Sequence, residues 1–245
     1  MEKLDVRAVI FDLGSTLIHY PSIDWDEVSL QCVESGRQCL MAEGLDLPEA
    51  AVFAESYIKL RADYRKQAAE TLIEWSVPQV TAKLFERIKI TLSEDMIDRF
   101  FDAYYEPLAA IIYVYDDALP VVEQIKSRYG TVGLVSNTIF PARAHVRELE
   151  KFKLRPFFDF MIFSSTFGLR KPHPDIFYEA STRAGAAPRE CVYIGDRYRE
   201  DVEGPSGIGM HSILRMHDDR EYPEDKLPSV RTINNLSELS LHLDI

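Results

Sequence analysis

Ala8-Val9-Ile10-Phe11-Asp12-Leu13-Gly14-Ser15-Thr16-Leu17 decides the fold: four apolar residues run straight into an aspartate, then into small and polar ones. Short apolar runs without alternation suit strands of a parallel sheet covered on both faces. The pattern returns at Val132-Gly133-Leu134-Val135 before Ser136, and at Cys191-Val192-Tyr193-Ile194 before Gly195-Asp196. Ligands of open α/β sheets bind outside the carboxyl ends of the strands, so Asp12, Ser136 and Asp196 are expected to face one crevice.

Outward from these strands the pattern changes twice. After Leu17-Ile18 helical spacing begins, through Val28, Cys32 and Cys39, then Phe53, Tyr57, Leu60 and Tyr64 after Pro48, then Val80, Leu84 and Ile88 after Pro78. Ser93 reads as an N-cap before Met96, Phe100 and Tyr104, with Pro107 closing that helix. From Asp116 helix and strand alternate: a helix to Tyr129 closed by Gly130, a helix from Pro141, a strand at Phe160–Phe163, a helix from Pro174 to Gly185, and a strand at Met210–Leu214. That alternation implies right-handed crossovers and a doubly wound parallel sheet, the α/β class. Residues 217–230 read as a surface loop, and Ser237 as the cap of a short last helix.

Composition narrows the function. The chain has 245 residues, 46% of them apolar, enough for a packed core plus a smaller insert. Its formal charge of −12 repels a polyphosphate backbone, which argues against nucleic acid and anionic membranes as partners. A small phosphorylated substrate reached through a metal bridge remains compatible with that charge. Cys32 and Cys39 lie two helical turns apart, roughly 10 Å, too far for a disulfide. With no signal-like apolar stretch and no run of spanning length, the chain reads as cytoplasmic.

Four segments carry chemistry in this order: Asp12-Leu13-Gly14-Ser15-Thr16, Ser136-Asn137-Thr138, Arg170-Lys171-Pro172, and Gly195-Asp196 with Asp201 following. Together they resemble the haloacid dehalogenase (HAD) superfamily, whose hydrolases carry an Asp-x-Asp-x-Thr loop, a Ser or Thr, a Lys and a Gly-Asp-x-x-x-x-Asp pair. The resemblance implies a Rossmann-like core from residues 1–18 and 112–245, with a smaller all-helical cap at 19–111. It implies Asp12 as nucleophile, because an ionised carboxylate can form an aspartyl-phosphate and divide one displacement into two. It implies Mg²⁺ held by Asp12, the Gly14 carbonyl and Asp196, with Asp201 supporting the ion from behind. Lys171 would neutralise the nucleophile and the transferring group, while Ser136 and the amides of Leu13, Gly14 and Asn137 would bind phosphate. Gly14 would also give this loop its curvature. In the cap, Arg61, Tyr64 and Arg65 are candidate substrate contacts. His19 and His173 read as turn residues, and Arg197 receives no role.

One position departs from the family pattern. Phosphatases of the superfamily place a second aspartate where this chain has Gly14, and that group protonates the leaving oxygen and later activates water. A positioned acid–base group contributes about 10²- to 10⁴-fold. Three readings follow: a slow phosphatase, one whose proton donor comes from the cap or the substrate, or a protein that binds without turnover. Dehalogenases of the superfamily also lack that aspartate, but typically lack the paired acids Asp196 and Asp201 too. The expected function is a Mg²⁺-dependent phosphatase of a small phosphorylated metabolite. The alternatives are a 2-haloacid dehalogenase and a catalytically weak binding or regulatory protein.

Overall fold

The computed structural model describes residues 2–21 and 24–245. In chain order, β1 (Ala8–Phe11) and β2 (Ile18–His19) precede four helices: α1 (Trp25–Ala42), α2 (Ala50–Thr71), α3 (Val77–Arg87) and α4 (Glu94–Ile111). Then come β3 (Tyr113–Val114), α5 (Ala118–Tyr129), β4 (Thr131–Ser136), α6 (Ala142–Lys151), β5 (Phe160–Phe163), α7 (Ser164–Phe167), α8 (Pro174–Ala184), β6 (Cys191–Gly195), β7 (His211–Arg215) and β8 (Arg231–Ile233). Six of the strands form one parallel sheet in the order β5-β4-β1-β6-β7-β8, the doubly wound α/β architecture expected. Phe11 pairs with Leu134 on one side and Ile194 on the other, so Asp12, Ser136 and Asp196 leave the sheet at the same edge.

Alternation along β1 divides the core. Val9 and Phe11 face the side covered by Val121, Val122 and Ile125 of α5, and Ala8 and Ile10 face Ile176, Phe177 and Ala180 of α8. Complete burial of such side chains is worth about 1.5–3 kcal/mol each. The chain leaves this core along β2 and returns along β3, which pair antiparallel as Ile18 with Val114 and His19 with Tyr113. Between them the four helices form a layer centred on aromatic rings, with Tyr57 stacked on Phe100 at 5.9 Å and Phe53 edge-on to Phe85 at 5.8 Å.

The layer is tied to the core by backbone bonds from two neighbouring stretches. The Glu74 amide donates to the Gly168 carbonyl at 2.9 Å and the Arg170 amide to the Leu72 carbonyl at 3.0 Å, forming a short antiparallel strap. The Glu74 carboxylate adds bonds from Ser164 Oγ at 2.8 Å and Arg170 Nη1 at 3.3 Å, and burial raises its pKa above the usual range. Three residues on, the Val77 amide donates to the Ile139 carbonyl at 2.9 Å.

Several local expectations need correction. Pro107 does not close α4, which continues to Ile111; a proline forfeits one amide donor, and Leu108 beyond it is buried. Pro48 lies outside α2, which opens at Ala50 behind Glu49. Asn235, not Ser237, caps the last turn, accepting the Glu238 amide at 3.3 Å. Ser93 caps α4 as expected, and Gly130 closes α5 at φ 75°. The three cysteines are free. Among the described residues no helix is long and apolar enough to cross a membrane.

Candidate active site

Asp12 continues the β1 register for one residue, its amide donating to the Ile194 carbonyl at 2.8 Å, and the chain then turns sharply. The Leu13 carbonyl accepts the amides of Leu17 at 2.8 Å and Ile18 at 3.1 Å, winding residues 13–18 around one point. The left-handed residue of this turn is Ser15, at φ 60°, rather than Gly14. Gly14 answers to a different constraint: a Cβ there would meet Tyr20 Cε2 at 3.2 Å. The tyrosine ring stands against the position where phosphatases of the resembled family keep their second aspartate.

Lys171 is buried, and its ammonium spends three hydrogens on three partners: Asp12 Oδ1 at 2.7 Å, Asp201 Oδ1 at 2.6 Å and the Tyr193 hydroxyl at 2.8 Å. Burial alone would depress its pKa, but Asp12 and Asp201 outweigh burial and hold it well above the usual lysine range. Asn137 fixes the lysine's backbone from both ends. Its Oδ1 accepts the Lys171 amide at 2.7 Å and its Nδ2 donates to the Lys171 carbonyl at 2.9 Å, a side-chain role beyond the amide donor expected. Burial raises the Asp12 pKa, with Lys171 opposing and Asp201 reinforcing.

The two acids of the last segment differ in their surroundings. Asp201 is fully engaged, Oδ1 by Lys171 and Oδ2 by the amides of Asp196 at 3.0 Å and Arg197 at 2.8 Å. Asp196 is buried with no hydrogen bond to either carboxylate oxygen, and Arg220 faces Oδ2 as an ion-pair partner. Burial, then the charges of Asp12 and Asp201, push its pKa up to about 8. Ligand oxygens of Asp12, Asp196 and Asp201 lie within 4.8 Å of one another. A buried carboxylate oxygen without a partner, Asp196 Oδ1, beside a second carboxylate, fits a hard divalent cation.

Gly195 makes this packing possible, since a Cβ there would lie 2.4 Å from Asp201 Cγ. Gly195→Ala is therefore expected to displace Asp201 from Lys171, lowering stability by about 1–3 kcal/mol, with turnover falling alongside. Urea unfolding and initial rates on the same preparation check this.

A crevice of about 650 Å³ opens above these groups, lined by Asp12, Gly14, Ser136, Asn137 and Lys171 from the core and by Tyr20, Trp25, Arg65 and Glu74 from the helical side. Of the three cap candidates only Arg65 lines it. Arg61 donates to Ser29 Oγ at 3.0 Å, and the Tyr64 ring lies 6.2 Å from Trp75. His19 bonds the Tyr115 hydroxyl at 2.7 Å, and His173 caps α8 by accepting the Asp175 amide at 3.3 Å.

The loop at 217–230 is more than surface. Arg220 Nη2 reaches Ser15 Oγ at 3.2 Å as well as Asp196, and His217 bonds the Ser15 carbonyl at 2.6 Å. Its charge run reads as solvated, so no local signal marked Arg220. A second unforeseen group is Thr138–His145–Glu148: Thr138 Oγ1 lies 2.6 Å from His145 Nε2, and His145 Nδ1 lies 2.8 Å from Glu148 Oε2. The i,i+3 spacing of His145 and Glu148 on one helix was the available clue.

Comparison with known proteins places the chain in a family. The family model of the haloacid dehalogenase-like hydrolases matches residues 6–209. A glyceraldehyde 3-phosphate phosphatase of Methanopyrus kandleri is 27% identical over 210 residues, 85% of this chain and 83% of that one. Among solved structures, an HAD phosphatase of Thermococcus onnurineus superposes with a TM-score of 0.63 at 20% identity, covering 96% of each chain. A 2-haloacid dehalogenase of Pseudomonas syringae does so with 0.68 at 19% identity, covering 96% of this chain and 97% of that one. At such identities the fold is shared by both activities, and the choice between them falls to the site.

Proposed function

Because the chain belongs to the haloacid dehalogenase-like hydrolases, we propose that it is a Mg²⁺-dependent phosphatase acting on a small phosphorylated metabolite through an aspartyl-phosphate. The observation that carries this reading is the meeting of Asp12, Asp196 and Asp201, with Asp196 Oδ1 buried and unpartnered. Three carboxylates met by the Lys171 ammonium and the Arg220 guanidinium still carry a negative excess, which suits a divalent ion and a phosphoryl group and repels the carboxylate of a haloacid unless a cation intervenes.

Asp12, the Gly14 carbonyl and Asp196 would hold the ion, which when bound offsets charge on the phosphoryl oxygens. Asp201, occupied by Lys171 and two amides, braces the site instead of ligating. In the first half-reaction an Asp12 oxygen bonds to phosphorus and the ester oxygen departs with the electron pair; in the second, water displaces Asp12 and frees phosphate. Lys171 keeps Asp12 oriented, and Ser136 with the amides of Leu13, Gly14 and Asn137 donates to the phosphoryl oxygens. We take the helical unit at 19–111 as a cap that excludes water, with Arg65 reaching the substrate. The name of the M. kandleri relative favours a short phosphorylated carbon compound.

The test is phosphate release from a panel of phosphorylated metabolites, glyceraldehyde 3-phosphate included, with and without Mg²⁺. Release is expected only with the ion. Asp196→Asn should raise the Mg²⁺ concentration for half-maximal rate by at least about 10- to 100-fold, the loss usual even for outer partners of a metal ligand. Halide release from a 2-haloacid without added metal would replace this reading with the dehalogenase one; Mg²⁺ and phosphate binding without turnover would replace it with the binding protein.

A further inference from the structure

With glycine at position 14 and the Tyr20 ring beside it, no carboxylate there protonates the leaving oxygen. An alkyl phosphate, the class favoured above, releases a strongly basic oxygen and has the greatest need of a proton donor. Thr138 and His145 also form part of the crevice lining, while Glu148 lines a separate cavity of about 530 Å³ between α4 and α6. All three residues are buried. Glu148 Oε1 accepts the Tyr105 hydroxyl of α4, so its carboxylate is hydrogen-bonded from two sides. The His145 ring stacks on Phe163 at 5.2 Å and lies 6.1 Å from Phe140 and 6.4 Å from Tyr105. Besides Glu148, the titratable groups facing this pair among the described residues are Tyr105 and Tyr20, both kept protonated by burial.

The hydrogen-bond capacity of Thr138 gives the arrangement its meaning. Oγ1 accepts the Phe140 amide at 3.1 Å, which leaves one lone pair and one hydrogen. When His145 is charged, Nε2–H fills that lone pair, and the hydroxyl hydrogen is free to donate into the crevice. When His145 is neutral and protonated on Nδ1 toward Glu148, the hydroxyl hydrogen turns to Nε2, and Oγ1 offers a lone pair to the crevice. One proton on His145 thus switches Thr138 between donor and acceptor.

We propose that Thr138, backed by His145 and Glu148, is the proton donor and acceptor of this active site, in place of the acid missing at position 14. The proposal rests on the phosphatase reading. As the bond from Asp12 to phosphorus forms and the ester bond breaks, the leaving alkoxide takes the Thr138 hydrogen and Thr138 Oγ1 takes the Nε2 hydrogen, leaving His145 neutral. As water bonds to phosphorus and the aspartyl bond breaks, a water proton passes to Thr138 Oγ1 and the threonine hydrogen to Nε2. His145 regains its charge and Glu148 stays ionised, so the cycle closes without a net proton on the enzyme.

The experiment compares first-turnover rates of an alkyl and an aryl phosphate on Mg²⁺-loaded enzyme. Thr138→Val and His145→Gln are expected to slow the alkyl ester by about 10²- to 10⁴-fold and the aryl ester, whose phenolate departs unaided, by less than about tenfold. The aryl ester should then show a burst of phenol, because hydrolysis of the aspartyl-phosphate has lost its base. Thr138→Ser, which restores the hydroxyl, should recover most of the alkyl rate, so the claim does not depend on the buried histidine variant folding. Equal slowing of both esters by Thr138→Val, or none, overturns the relay. The same selectivity appearing in Tyr20→Phe assigns the proton to the phenol and also overturns it. No phosphate from either ester with the natural protein removes the phosphatase reading itself, and the relay with it.

Discussion

Asp12→Asn is expected to abolish turnover, by about 10⁴- to 10⁶-fold, in a protein that stays folded. The amide occupies nearly the same volume but supplies neither an anionic nucleophile nor an anionic metal ligand. Its oxygen can still accept the Lys171 hydrogen that Asp12 Oδ1 now takes at 2.7 Å. Removing one of three crowded carboxylates also relieves repulsion with Asp196 and Asp201, so thermal stability should hold or rise in the metal-free protein. Phosphate release measured beside a circular-dichroism melt tests both halves. Substantial activity in the folded variant would remove Asp12 as nucleophile.

The second large effect is on stability. Lys171→Met keeps the length of the side chain and deletes its charge, leaving Asp12, Asp201 and the Tyr193 hydroxyl in the interior without their shared donor. Breaking a buried ion pair by removing one partner costs about 3–5 kcal/mol. For a chain of this size that is a fall in Tm of roughly 6–20 °C. Adding Asp201→Asn should recover part of the loss, because one stranded charge goes with it. A melting temperature unchanged by Lys171→Met would mean that the carboxylates are already compensated by other groups, contrary to the geometry described.

What could be read in the sequence was what short stretches of chain decide. Asp12, Ser136 and Asp196 were legible because an apolar strand must end before its polar residue, and a parallel sheet brings those ends together. Lys171 was legible only through the resemblance; its clasp by the Asn137 side chain lies 34 residues away in sequence. Arg220 was hidden because Asp218-Asp219-Arg220-Glu221 looks like a solvated run, and only the folded path after β7 carries it to Ser15, 205 residues earlier. Gly14 in the sequence suggests backbone freedom, whereas Ser15 takes the left-handed conformation and Gly14 accommodates a ring arriving from Tyr20. Pro107 was read by a rule for isolated helices, which the burial of Leu108 overrode.

The strap between residues 72–74 and 168–170 has a kinetic consequence. Residues 168–170 lead directly into Lys171, so a cap that moves as proposed must either break the two backbone bonds and the Glu74–Arg170 pair or drag the lysine's own segment along. In both cases the clock that governs access and the clock that governs readiness of the ammonium share one escapement. Loosening the strap would quicken exchange of ligands at the expense of the fraction of time the site stands assembled. A cap that moves as proposed thus makes association and chemistry one adjustable quantity.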